Sequence, residues 1–227
     1  MTCIRCPQAV RAWGLLMTMA MLLAVCDAGA AGQGDDEIRK LALTQLQSHD
    51  ADARLNACTV LADVGRQEDL PLLQPRLFDD DARVRGTAEA VIWAIWSRSG
   101  DAATDELFQR GVQQMRDGHL KGAVETFNRV IAMRPEFAEG WNKRATVYFM
   151  LGEDDLSLQD CAQVLERNPR HFGVLAGYGQ IYLRKGELQR SLEYFEQALA
   201  INPNMTGVQA SIDALRELIV KRGRRYI

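Results

Sequence analysis

Residues 141–152 read WNKRATVYFMLG, and residues 175–186, one period of 34 positions later, read LAGYGQIYLRKG. The register extends in both directions. Gly118, Gly152 and Gly186 form one column, and Pro135, Pro169 and Pro203 a second. Ala123, Ser157 and Ser191 form a third, Leu107, Trp141 and Leu175 a fourth, and Phe127, Cys161 and Phe195 a fifth. A period of this length built from two short helical patterns is the signature of a helical solenoid. Such units stack to share a core and present a long curved surface. The glycines suit left-handed C-caps that end each first helix, and the prolines stop each second helix. Small residues at Gly111, Ala145 and Gly179 let the two helices of a unit approach closely. Tyr148 and Tyr182 fill the space between units, where the first unit carries Gln114.

From Thr104 to Pro203 these columns resemble tetratricopeptide repeats, about three of them. Cys161 departs from the usual aromatic, and Ser157 and Ser191 from the usual alanine, which changes core size only. The resemblance implies an all-α, right-handed α-α superhelix in which the first helix of each unit lines a concave groove. Transferred by register, that groove is lined by Phe108, Gln109 and Val112, then Asn142, Lys143, Thr146 and Phe149, then Gln180 and Arg184. Amides there suit the main chain of an extended protein or peptide partner, whose own N–H and C=O need bonds. Lys143 and Arg184 suit a carboxylate, and Phe108 or Phe149 an apolar side chain. Relatives that grip chaperone tails use a lysine and asparagine clamp in the first unit. Phe108 and Val112 hold those places here, and Ala176 and Gly177 stand in the third unit, so that clamp is not expected.

Upstream, residues 31–100 carry a looser repeat. Leu41, Leu43, Gln45, Asp50, Asp52, Ala53 and Arg54 recur 29 positions on as Leu70, Leu72, Gln74, Asp79, Asp81, Ala82 and Arg83. Each unit reads as an apolar helix, an acidic turn suited to N-capping, and a second helix. This stretch resembles short HEAT-like repeats related to phycobilisome-lyase repeats, with Pro71 and Pro75 breaking one first helix; no pigment site is implied. The connection, Ser97 to Asp105, is short, so the first tetratricopeptide helix is expected to stack on the last HEAT-like helix in one continuous superhelix. Trp93 and Trp96 share a face there, one of them buried against that helix or exposed as a binding anchor. After Pro203, the apolar positions Val208, Ile212, Leu215 and Ile219 read as a terminal capping helix within 204–227. Lys221, Arg222, Arg224 and Arg225 end it with the cations a helix C-terminus favours, or that anionic lipid headgroups attract.

Arg5 and Arg11, the apolar run Ala12–Cys26 and Ala28-Gly29-Ala30 give residues 1–30 the form of a secretory signal peptide. Leu23-Ala24-Val25-Cys26 resembles a lipobox, though valine departs from the small residue expected before the cysteine, so lipidation at Cys26 is the alternative. The chain is accordingly expected in a bacterial periplasm, or anchored there by lipid. Cys58 and Cys161 are about three repeats apart, which predicts buried free thiols. The net charge of −3 supplies no basic footprint for nucleic acid. No phosphate loop, nucleophile elbow or zinc motif occurs, and His49, His119 and His171 fall in separate predicted surface turns. No metal, cofactor or catalytic site is expected. The functional expectation is a non-catalytic interaction scaffold of the bacterial cell envelope that binds a peptide or protein segment in the groove. The alternatives are a lipid-anchored envelope assembly factor, for pilus, secretion or cytochrome maturation, and a cell-wall glycan-binding module, which would want exposed aromatic platforms.

Overall fold

The computed structural model describes residues 34–224; the leader-like segment, Cys26 included, and Arg225 lie outside them. All secondary structure among the described residues is helical. The N-terminal unit comprises α1 (34–45), α2 (Ala51–Val64), a short α3 (Leu70–Leu73) between two 3-10 turns, and α4 (Ala82–Trp96). Pro71 and Pro75 stand at the starts of α3 and of the second turn, which is why that helix is broken. The array follows as pairs: α5 (Ala102–Arg116) with α6 (Leu120–Met133), α7 (Ala138–Leu151) with α8 (Asp154–Arg167), and α9 (Phe172–Arg184) with α10 (Leu188–Ile201). It is closed by α11 (Thr206–Arg224), whose Val208, Ile212 and Leu215 are buried against α10.

The expected punctuation of the array is present. Gly118, Gly152 and Gly186 have φ of 77°, 83° and 76°, the left-handed conformation only glycine adopts without strain. The amides that follow reach back to carbonyls near each helix end, as Glu153 N does to Tyr148 O and Glu187 N to Tyr182 O. Gly111 and Gly179 lie where a Cβ would come within 2.7 and 2.4 Å of the Phe127 and Phe195 rings, so bare backbone sets the distance between paired helices. Ser157 and Ser191 do more than adjust core size. Each buried hydroxyl donates to a carbonyl twelve residues earlier, Ala145 O at 2.8 Å and Gly179 O at 2.7 Å, pinning the second helix to the first.

Two expectations about the N-terminal unit are corrected. Its repeat is 31 residues, not 29. Asp50 and Asp81 are the N-caps of α2 and α4, each accepting the amide two residues on. Arg54 and Arg85 follow each cap by four residues and donate to the two carbonyls before it. Buried pairs Ala42/Leu73, Leu46/Leu77, Ala57/Ala88 and Leu61/Ile92 keep the same spacing. The matching D-A-R letters had aligned Arg54, which is buried, with Arg83, which is exposed.

Nor does α5 stack on α4. The core of the N-terminal unit contains no residue of α5 or α6; its members from the array are Phe172, Ile201 and Met205. The chain turns back after α4, so that this helix lies across the start of α9 and the α10–α11 turn. Arg85 donates to Asn204 Oδ1 and Asn204 to Leu77 O across that seam.

Candidate functional site

The concave face is built by α5, α7 and α9, and the nine residues expected to line it divide into three groups. Phe108 and Val112 are corrected outright: both are buried, with the Phe108 ring 5.9 Å from Phe127 and 5.2 Å from Phe137 in the core of the first unit. Asn142 and Lys143 are engaged by their neighbours. Asn142 is buried and donates to both oxygens of Glu139, while the Lys143 ammonium lies 3.5 Å from Glu139 Oε2 and 5.5 Å from the Trp93 ring centroid.

The remaining five are the accessible face. Gln109, Thr146 and Gln180 are exposed. Phe149 is half-buried beneath the Arg184 guanidinium, 3.8 Å from the ring centroid, and Arg184 also binds Asp154 and Phe149 O. Between α7 and α9 the face opens into a cavity of about 120 Å³ whose walls include Asn142, Ala145, Thr146, Val174, Gly177 and Gln180. Gly177 makes that space, because a Cβ there would meet no atom within 4 Å. In the register it stands opposite Lys143, so a glycine in the third unit leaves open what a long side chain covers in the second. The lining is mostly apolar carbon with the Gln180 amide and the Thr146 hydroxyl at the rim, a chemistry suited to an aliphatic side chain whose own backbone is hydrogen-bonded at either side.

Beside this face lies a buried polar cluster that reading turns as surface missed. His171 is not a surface histidine: it and Glu139 have no exposed side-chain area. His171 Nδ1 accepts the Val174 amide and thereby caps α9. That leaves Nε2 to donate to Glu139 Oε1 at 2.6 Å. Burial alone would push the Glu139 carboxyl up; the His171 bond, the Lys143 charge and the Asn142 amide outweigh it and hold the group below the usual carboxylate range. Trp96, buried, stacks on the imidazole at 4.3 Å between ring centroids, and Trp93 meets it edge-on at 5.4 Å. Gly173 admits Trp93: a Cβ there would sit 2.5 Å from the indole. The two tryptophans thus serve the joint, against the third unit and not the first. A glutamate three residues before an asparagine in one unit, and a histidine 32 residues after that glutamate, carry no signal that separates this cluster from solvated turns.

The other marked residues are structural. Cys58 and Cys161 are free and buried, with burial pushing their thiols up to about 11 and about 12. Trp141 is flanked by the Arg144 and Arg167 guanidinium groups at 5.0 and 4.9 Å, and Arg144 forms a bidentate pair with buried Asp160. Among the described residues no group of histidine, cysteine and carboxylate side chains is arranged to hold a metal ion.

Comparison with known proteins agrees with this architecture. Tetratricopeptide-repeat family profiles match residues 108–169 and 173–205, and the array consists of such repeats. A TPR repeat-containing protein of Rhizobium etli is 34% identical over 122 residues, covering 54% of this chain and 60% of that one. The FK506-binding protein-like protein of Mus musculus is 27% identical over 119 residues, covering 49% of this chain and 34% of its own length. This chain therefore spans between a third and three-fifths of these curated relatives. Among solved structures, the Sgt2 TPR domain of Aspergillus fumigatus superimposes with a TM-score of 0.52 at 14% identity, over 55% of this chain and 83% of that one. The first TPR domain of Spaghetti (RPAP3), solved with an HSP90 peptide, gives 0.50 at 16% identity over 52% and 93%. At these identities the superpositions establish the fold of the array.

Proposed function

We propose that the chain is a non-catalytic interaction scaffold whose array holds an extended segment of a partner protein against α7 and α9. The carrying observation is the cavity between those helices, apolar within and edged by Thr146 and Gln180, on the accessible half of the concave face. The bound segment runs across the groove, inserts one aliphatic side chain beside Gly177, and has its main chain met by Gln180 and Thr146. The RPAP3 domain of similar fold binds a peptide, SRMEEVD, which supports peptide recognition as the use of this surface. An acidic chaperone tail is not the ligand favoured here, since Phe108 and Val112 occupy buried core positions and Lys143 is committed to Glu139. The setting we infer is the bacterial cell envelope, on the strength of the leader-like residues 1–30, with HEAT-like helices forming the N-terminal unit.

Display selection tests the groove. Random twelve-residue peptides on phage are panned against the immobilised chain and against a Thr146→Arg, Gln180→Arg variant. Enrichment of sequences sharing an aliphatic anchor, lost on the variant, is the expected result; no enrichment, or equal enrichment on both, overturns the reading. The setting is tested separately by the mass of the mature N-terminus in a bacterial host. A free alanine or glycine near position 31 indicates cleavage after the leader, and an acylated Cys26 indicates lipid anchoring.

A further inference from the structure

The N-terminal unit is joined to the array by a single peptide link whose two sides belong to different bodies. Arg98 is held to the N-terminal unit, donating to the carbonyls of Ala62, Asp63 and Gly65 at the end of α2. Ser99, the next residue, is held to the array: its amide donates to Asp105 Oδ1 and its hydroxyl to Asp101 O. Beyond that link, α4 rests on the later units and not on the first: Trp96 lies over His171 and Trp93 over Gly173 and Lys143, and near its other end Arg85 bonds Asn204. Behind this contact the seam is not filled, for a cavity of about 420 Å³ runs between Gln67, Leu70, Trp96 and Arg98 on one side and Glu136 and Phe137 on the other.

His171 and Glu139 are the tie between the starts of α9 and α7, and these two helices are the walls of the groove cavity. A tie of this kind holds a fixed distance only while water is kept from it, because a solvated carboxylate and imidazole exchange partners freely. Trp96 and Trp93 are what cover it. The groove cavity stays open while α4 is docked, so α4 does not obstruct the face it borders. We propose that the N-terminal unit is a brace: through Trp93 and Trp96 it fixes the spacing of α7 and α9, and the two tryptophans are positioning residues for the groove without touching what it binds. This inference deepens the peptide-groove reading and rests on it for its binding consequence, but the spacing it asserts can be measured without any ligand.

That measurement places nitroxide labels at Thr146→Cys and Gln180→Cys in the full chain, with Cys3, Cys6 and Cys26 replaced by serine; Cys58 and Cys161 are buried thiols and escape labelling. Pulsed electron resonance should give one narrow interspin distance. Trp93→Ala should broaden it, and Trp93→Phe should restore it, since a smaller ring still covers the imidazole. Where Trp93→Ala fails to fold, Gly173→Ala displaces the indole from the other side and should broaden the same distribution. In the unlabelled chain, a peptide recovered by display should bind Trp93→Ala about tenfold more weakly, a coupling of ordinary size between distant sites, and Trp93→Phe near the original affinity. An unchanged distance distribution in Trp93→Ala or Gly173→Ala overturns the brace. So does tighter peptide binding by Trp93→Ala, which would make the unit a cover. If display yields no peptide, the groove reading fails by itself and the distance measurement alone decides the brace.

Discussion

The two halves of this molecule solve the same problem, holding paired helices in a stack, with different chemistry. The array does it mainly by shape, with the Arg144–Asp160 pair and the Ser157 and Ser191 hydroxyls as polar supplements. Glycines end its helices, Gly111 and Gly179 bring helix axes together, and Phe127 and Phe195 fill the space those glycines leave. The N-terminal unit does it with arginines. Arg54 pairs in bidentate fashion with buried Asp79, Arg39 with buried Asp69, and Arg54, Arg85 and Arg98 reach carbonyls that helix ends leave without partners. Shape is written at fixed positions, because one methyl group in the wrong place collides.

The largest effect should therefore come from shape, in the array. Gly179→Val puts new carbon inside the contact radius of Phe195, and a loss of about 3 kcal/mol is expected from overpacking, read as a lowered midpoint in urea. A loss below 1 kcal/mol would show that the pair is loosely seated and the contrast is wrong.

The second effect belongs to the charged staples and appears in acid. Arg54 holds the Asp79 carboxyl below its usual range. A depressed carboxyl stabilises fully above its ordinary value of about 4 and loses that contribution as pH falls through the depressed one. Hydrogen exchange at pH 5 and pH 3 should show α2 and α4 losing protection on acidification, and Asp79→Asn should lower protection at pH 5 and flatten the difference. Equal acid sensitivity in wild type and variant would place the staple elsewhere.

Smaller again is the loss of one arginine cap. Arg85→Ala removes bonds to Asp79 O, Asp80 O and Asn204, worth about 1–2 kcal/mol in total, with faster exchange confined to the start of α4 and the 202–206 turn. The smallest change carries the opposite sign. Gly177→Ala, on the same helix as Gly179 but facing the groove, should stabilise by up to about 1 kcal/mol, since alanine costs less backbone entropy in a helix. Its methyl group should also weaken peptide binding by entering the cavity. Destabilisation by Gly177→Ala would mean that this face is filled in solution.

The array was legible because its constraints repeat. Five columns at 34 positions located every helix pair and the glycine C-caps, and the apolar spacing of Val208, Ile212 and Leu215 located the buried face of α11. The N-terminal unit was legible in kind, two helix pairs with one first helix broken at its prolines, and misread in register. Asp79-Asp80-Asp81 offers three candidate caps, and identical letters selected the wrong alignment where the bond from the Arg83 amide selects Asp81. Accessibility on the α5, α7 and α9 face was legible in part: Gln109, Thr146, Phe149, Gln180 and Arg184 reach solvent, whereas Phe108 and Val112 are buried, Phe108 against Phe137, a neighbour outside the repeat columns.

Local periodicity, then, determined the helices, their caps and the order of the units, because each of those depends on residues within a few turns of one another. Only the tertiary structure decided where α4 comes to rest and that His171 is buried against Glu139. Those outcomes join positions about 30 to 120 residues apart through one tryptophan stack and a few hydrogen bonds, contacts whose spacing follows no period and whose energy exists only once both surfaces are formed.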